Sequence, residues 1–184
     1  MWTWGLLLLG ETIVKMITGF NKLDVTFRPE TFLPTLLVSL VLLRIQTASK
    51  EMLFRGALPQ NLYLHIRKPV VVVILSSVLF GAAYLMNPEA LSRLIISLLA
   101  HSAVRFGWRL VDQKSGELEL AIGAHTINNF YELFFVGYQN SAIRGSSIWV
   151  LPNINMVESM ILNIIMVMIW VVVLRGALQD RKVI

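Results

Sequence analysis

Two residue pairs in this sequence have the types and spacing to do chemistry: Glu51 with Arg55, and His125 with Asn129. Each pair is four positions apart, which puts both members on one face of a helix. A carboxylate beside a guanidinium can form an ion pair. A histidine and an amide aimed at a glutamate can position water and hold the oxygen of an attacked carbonyl. Lys50 precedes Glu51 and points about 100° away around the helix. The stretch Ser49-Lys50-Glu51-Met52-Leu53-Phe54-Arg55-Gly56 closes an apolar run that begins near Phe32. Charges inside or bordering a helix of hydrocarbon length are costly, and they persist when paired, snorkelling or functional. Plainer readings remain open at this point. The first cluster fits a membrane-border charge group, and the second fits the hydrogen bonding that ties helices together in membranes. His101, Arg105 and Arg109 add one more polar stripe at four-residue spacing on an apolar segment. Glu51 and His125 offer two metal ligands where about three are needed, with His101 a remote third, so neither a metal nor another cofactor is expected.

The composition says where such residues must sit. The chain is 56% hydrophobic and only 15% charged, and apolar runs near 20 residues recur along it. One domain of this length cannot bury so many runs, so they should face lipid. The expected fold class is all-α, a polytopic membrane helix bundle of about six helices, with residues 1–184 as a single membrane domain. The absence of cysteine excludes a disulfide framework and a thiolate metal site. The net charge of +5 comes without basic stretches interleaved with aromatics, so no nucleic-acid partner is expected. The start of the chain lacks the basic n-region and the cleavage site of a signal peptide.

Six segments read as helices. Residues 1–20 open with Trp2 and Trp4, carry Glu11 and Lys15 four apart, and either cross the membrane or lie along it. A polar loop over 21–31 leads to a helix from about Phe32 to Gly56, started by Pro29-Glu30-Thr31. Residues 57–68 read as an interfacial connector, because Leu62, Leu64 and Ile66 give no clear helical period. Further helices are expected over about 69–86, 88–111, 118–138 and 154–174, with a turn at 112–117 and a polar loop at 139–153. With six spans, one side holds Arg55, Arg67, Lys68, Arg109, Lys114, Arg175, Arg181 and Lys182. The other holds Lys22, Arg28, Arg93 and Arg144. That bias puts the C-terminus in the cytoplasm, and the N-terminus with it if residues 1–20 cross. The bilayer is then the first partner of the chain.

Taken in order, three motifs resemble those of the CPBP family, the CAAX-protease and bacteriocin-processing intramembrane endopeptidases, also called Abi. The family motif Glu-Glu-x-x-x-Arg-Gly reads here Lys50-Glu51-Met52-Leu53-Phe54-Arg55-Gly56. Phe-x-x-x-His reads Phe80-Gly81-Ala82-Ala83-Tyr84, and His-x-x-x-Asn reads His125-Thr126-Ile127-Asn128-Asn129. The likeness covers roughly residues 35–135, which it marks as a CPBP-like core. The resemblance implies that the residues at positions 50 and 84 activate water, while His125 and Asn129 form the oxyanion side. Glu51 and Arg55 are the other retained positions. Here positions 50 and 84 are lysine and tyrosine. An ammonium donates hydrogen bonds and accepts none, and a phenol is a poor base at neutral pH. A general base normally supplies on the order of 10² to 10⁴ in rate, so most turnover should be absent. Ser49 is adjacent to Lys50 and points elsewhere on a helix, which disfavours a Ser–Lys dyad. His101 is the possible compensating residue.

The expected function is therefore a catalytically degenerate homologue in a bacterial plasma membrane. It would bind a membrane-protein or peptide partner as a scaffold, immunity factor or assembly subunit. The alternative is an active glutamic-type intramembrane endopeptidase acting on prenylated or leader-type peptides.

Overall fold

The computed structural model describes residues 2–19, 24–87, 94–115, 118–139, 147–151 and 156–179. Helix α1 is Trp2–Gly19, α2 is Pro29–Glu51, α3 is Leu58–His65, α4 is Pro69–Ala83, α5 is Leu94–Ser115, α6 is Glu119–Phe134 and α7 is Met156–Gln179. A π-helical stretch, Met52–Ala57, joins α2 to α3 without a break. Among the described residues, six long helical stretches result, because α2, the π stretch and α3 run on as one. Strands β1 (Asp24–Val25), β2 (Val136–Tyr138) and β3 (Trp149–Leu151) are the exception to a helical chain.

The run Pro29–His65 and the stretch Val157–Leu174 are long and apolar enough to cross a membrane, while Pro69–Ala83 and Leu94–Trp108 are shorter apolar helices. Pro29 sits at the first helical position, where its missing N–H costs nothing. The Arg28 carbonyl accepts hydrogen bonds from the backbone N–H groups of Thr31 (3.2 Å) and Phe32 (2.9 Å).

Residues 58–65 are helical, although the spacing of Leu62, Leu64 and Ile66 gives no helical period, while residues 66–68 connect without helix. Pro59 should break an α-helix, because its ring meets the carbonyl four residues back. Here the widened π stretch precedes it, and the Leu58 N–H bonds the carbonyl of Leu53, five residues back. The wider winding carries the chain past the proline. The other helices differ from expectation at their ends. α4 stops at Ala83, with Tyr84 as its C-cap. α5 continues through Ser115, into what had read as a turn. α6 stops at Phe134, and Val136–Tyr138 is strand rather than helix. Residues 88–93, where the fourth helix was expected to begin, lie outside the described residues.

The chain falls into two compact units. The first comprises residues 1–48, 87–89 and 122–155. Its apolar centre is Leu43, Leu133 and Phe134, with Phe32, Leu36 and Phe130 packed on it. Hydroxyl pairs join its helices: Thr12 with Tyr131 at 2.9 Å, and Thr47 with Thr126 at 2.7 Å. Its three-stranded sheet has the order β1-β3-β2, with β3 antiparallel to β1 and parallel to β2. Strands β1 and β3 lie in segments that read as polar loops, and β2 at the end of a segment that reads as helix.

The second unit comprises residues 49–86, 90–121 and 156–184. In it α5 packs on both α4 and α7. Two glycines make that possible. A Cβ at Gly81 would overlap the Ser102 hydroxyl and sit 2.8 Å from the Leu98 carbonyl oxygen, and one at Gly107 would overlap the Val167 side chain. Small residues at such crossings let helix backbones approach closely, as is common in membrane packing.

Candidate functional site

The polar site of the second unit begins where α2 ends. Glu51 is the last residue of α2 and is fully buried, and Arg55 follows within the π stretch. π turns recur at functional sites, where the extra width re-aims side chains. The Glu51 Oε2 atom lies 2.9 Å from Arg55 Nε and accepts a hydrogen bond from Arg105 Nη1 at 2.5 Å. All three side chains are at most 2% exposed. One carboxylate oxygen thus serves two guanidinium groups, one from its own helix and one from α5. A carboxylate so buried is stable only with such partners.

Aromatic faces support the cations. Arg105 Cζ stands 4.4 Å from the Phe80 ring centroid and Arg55 Cζ 5.7 Å from that of Trp108. Lys50 Nζ stands 4.8 Å from the Tyr84 ring centroid. All three distances fall within the range of cation–π attraction. Phe80 and Tyr84 are one helical turn apart at the end of α4, with ring centroids 5.0 Å apart. His101, on α5, stacks on Tyr84 with centroids 4.3 Å apart and planes at 21°. Its Nδ1–H donates to the Ser97 carbonyl at 2.8 Å. In the neutral imidazole that bond makes Nε2 the acceptor nitrogen.

The structure therefore brings together Glu51, Arg55, Lys50, Tyr84 and His101 within the second unit. It adds Arg105, which sequence reasoning did not assign to Glu51. The signal was present in the stripe of His101, Arg105 and Arg109, but nothing local connected that stripe to position 51. The side chain of Arg109 lies outside the described residues.

His125 and Asn129 belong to the first unit, on α6, and both are buried. Asn129 Nδ2 donates to Gln46 Oε1 at 3.4 Å, a long bond to a side chain of α2 in the same unit. Thr126 lies between them in sequence and donates to the Ile122 carbonyl at 2.7 Å.

These residues lie within the part of the chain that a family model matches. Residues 30–131 match the model described as "Type II CAAX prenyl endopeptidase Rce1-like", which is more than half of the chain. The chain belongs to the Rce1-like family. That family has a polytopic, membrane-embedded helical fold, and the chain is accordingly a helical integral membrane protein. Glu51, Arg55, His125 and Asn129 all fall inside the matched range. The chain is also similar to a protein of Bacillus subtilis (strain 168) named "Uncharacterized protein YyaK", with 29% identity over 119 residues. That match takes in 65% of this chain and 40% of the relative, so the chain spans well under half of its relative's length. No solved structure matches.

Proposed function

We propose that this is a catalytically degenerate member of the family, one that holds a membrane-protein or peptide partner instead of cutting it. One observation carries the reading. At position 50 an ammonium rests on the ring of Tyr84, where the family resemblance calls for a carboxylate and an imidazole. Peptide hydrolysis needs a base to take a proton from water beside the carbonyl. The adjacent carboxylate, Glu51, has one oxygen held by two guanidinium groups and is fully buried. It is poorly placed to replace the missing base. His125 and Asn129 keep the residue types that bind a carbonyl oxygen. Binding a peptide bond without attacking it is what a partner-recognition site does.

Such a protein would serve as a scaffold, immunity factor or assembly subunit. The eight-to-four excess of Lys and Arg on one side of the expected topology supports cytoplasmic termini. In a bacterium the membrane would be the plasma membrane. The test is purified protein against prenylated and leader-type peptides, beside the Lys50→Glu, Tyr84→His double variant. The native chain should be inert and the double variant should cleave. Cleavage by the native chain that disappears in His125→Ala would overturn the reading.

A second reading rests on His101. Its ring stacks on the residue that replaces the family histidine, and its Nδ1–H bond to Ser97 makes Nε2 a proton acceptor. In that case the native chain cleaves slowly, and His101→Ala removes the cleavage.

A further inference from the structure

We propose that the groove between α1 and α6, in the first unit, is the seat of a lipid tail: one acyl chain of a bilayer phospholipid. The inference is independent of whether the chain cuts peptides or holds them.

The first observation concerns what the groove opens onto. On α1 the residues Glu11, Thr12 and Lys15 are buried, whereas Leu6, Leu9, Ile13, Val14 and Ile17 are exposed. Glu11 and Lys15 pair at 2.7 Å, and the Lys15 ammonium stands 6.0 Å from the Tyr131 ring centroid. A helix lying along the interface turns its charged face out to water and headgroups. α1 turns that face inward, so its outer face meets acyl chains. Leu9 belongs to the outer face and also lines the groove, together with the exposed Phe135.

The second observation concerns what can fill it. The groove has a volume of about 290 Å³ and runs between Gly5 and Leu9 on α1 and Ile127 and Phe130 on α6. That is the small end of the range for ligand sites, and it suits a single chain. The two hydroxyls among its lining side chains are already engaged. Thr126 bonds the Ile122 carbonyl at 2.7 Å and Thr47 at 2.7 Å, and the Tyr131 hydroxyl is paired with Thr12 at 2.9 Å. A peptide laid in this groove would leave its N–H and C=O groups unmet, which is costly away from water. Water would lack partners too. A methylene chain needs none and gains dispersion contacts along both walls. The bilayer supplies such chains at the mouth of the groove in large excess, so mass action keeps it filled.

Gly5 holds the groove open. A Cβ at that position would meet its nearest neighbour, Ile127 Cγ2, at 3.9 Å. Alanine therefore fits without crowding, while leucine would take up the space of the tail.

The test uses full-length protein in phosphatidylcholine nanodiscs, with a small fraction of the lipid carrying a photoreactive diazirine in one acyl chain. After irradiation the adducts are mapped by peptide mass spectrometry. Labelling of Leu9, Phe130 and Phe135 should exceed that of Leu37, Leu40 and Val41, which are exposed on α2 outside the groove, by about fivefold or more, as preferential occupancy of one seat requires. Gly5→Leu and, from the opposite wall, Ile127→Phe should each bring the ratio down to about one. Two filling variants on different helices guard against a folding defect in either, and Gly5→Ala should keep the native ratio. Even labelling in the native protein, or an excess that survives both filling variants, overturns the inference. A prenylated peptide added at about one hundredth of the lipid concentration should leave the excess in place, because the phospholipid outnumbers it. Loss of the excess on that addition assigns the groove to an isoprenoid chain carried by a peptide and overturns the inference.

Discussion

Glu51→Gln is the most informative single change for the polar site, because one oxygen carries two guanidinium partners. Glutamine keeps the shape of the side chain and removes the charge. Arg55 and Arg105, both at most 2% exposed, then lose their shared anion. Breaking a buried ion pair by removing one partner costs about 3–5 kcal/mol. A chain of this length shifts its Tm by about 2–4 °C per kcal/mol, so a fall of roughly 6–20 °C is expected. Arg105→Met is the contrasting change. It removes one charge-assisted hydrogen bond but leaves Glu51 paired with Arg55, for a cost of about 1.5–3 kcal/mol. The two changes delete the same contact, so the double variant should lose less than the sum of the singles, by about 0.5–3 kcal/mol. Unfolding in mild detergent, followed through the five tryptophans, measures all three. An unchanged Tm in Glu51→Gln, or a larger loss in Arg105→Met than in Glu51→Gln, would refute the shared-anion geometry.

Two further expectations follow from packing. Gly107→Ala should cost about 1–3 kcal/mol, because the new Cβ overlaps Val167, whereas Gly5→Ala, whose nearest neighbour atom is 3.9 Å away, should leave the Tm of the detergent-solubilised protein unchanged. In the Thr47–Thr126 pair each hydroxyl also bonds a backbone carbonyl of its own helix, so Thr47→Val should lower stability by only about 1 kcal/mol, and adding Thr126→Val should cost little more by the same measurement.

What the sequence made legible was local. The Glu51–Arg55 contact could be read because both residues sit on one helix, four positions apart. The Lys50 and Tyr84 replacements could be read because the motif spacing marks their positions. Arg105 could not be assigned to Glu51, since 54 residues separate them and only the crossing of α5 unites them. The sheet escaped because strands of two and three residues are too short to show alternation. α3 escaped because Leu62, Leu64 and Ile66 show no helical period, and only the π winding before Pro59 shows how the helix continues past it.

That continuous run from Pro29 to His65 has a consequence for how it meets the bilayer. Its 37 residues are well above the roughly 20 that span a hydrocarbon core. The run therefore holds more residues than one crossing needs. Its last turns carry Gln60, Asn61 and His65, all exposed, and Arg67 and Lys68 follow directly. Those residues suit contact with water and phosphate, so this end of the run is fitted to the headgroup layer and the apolar part before it to the acyl chains.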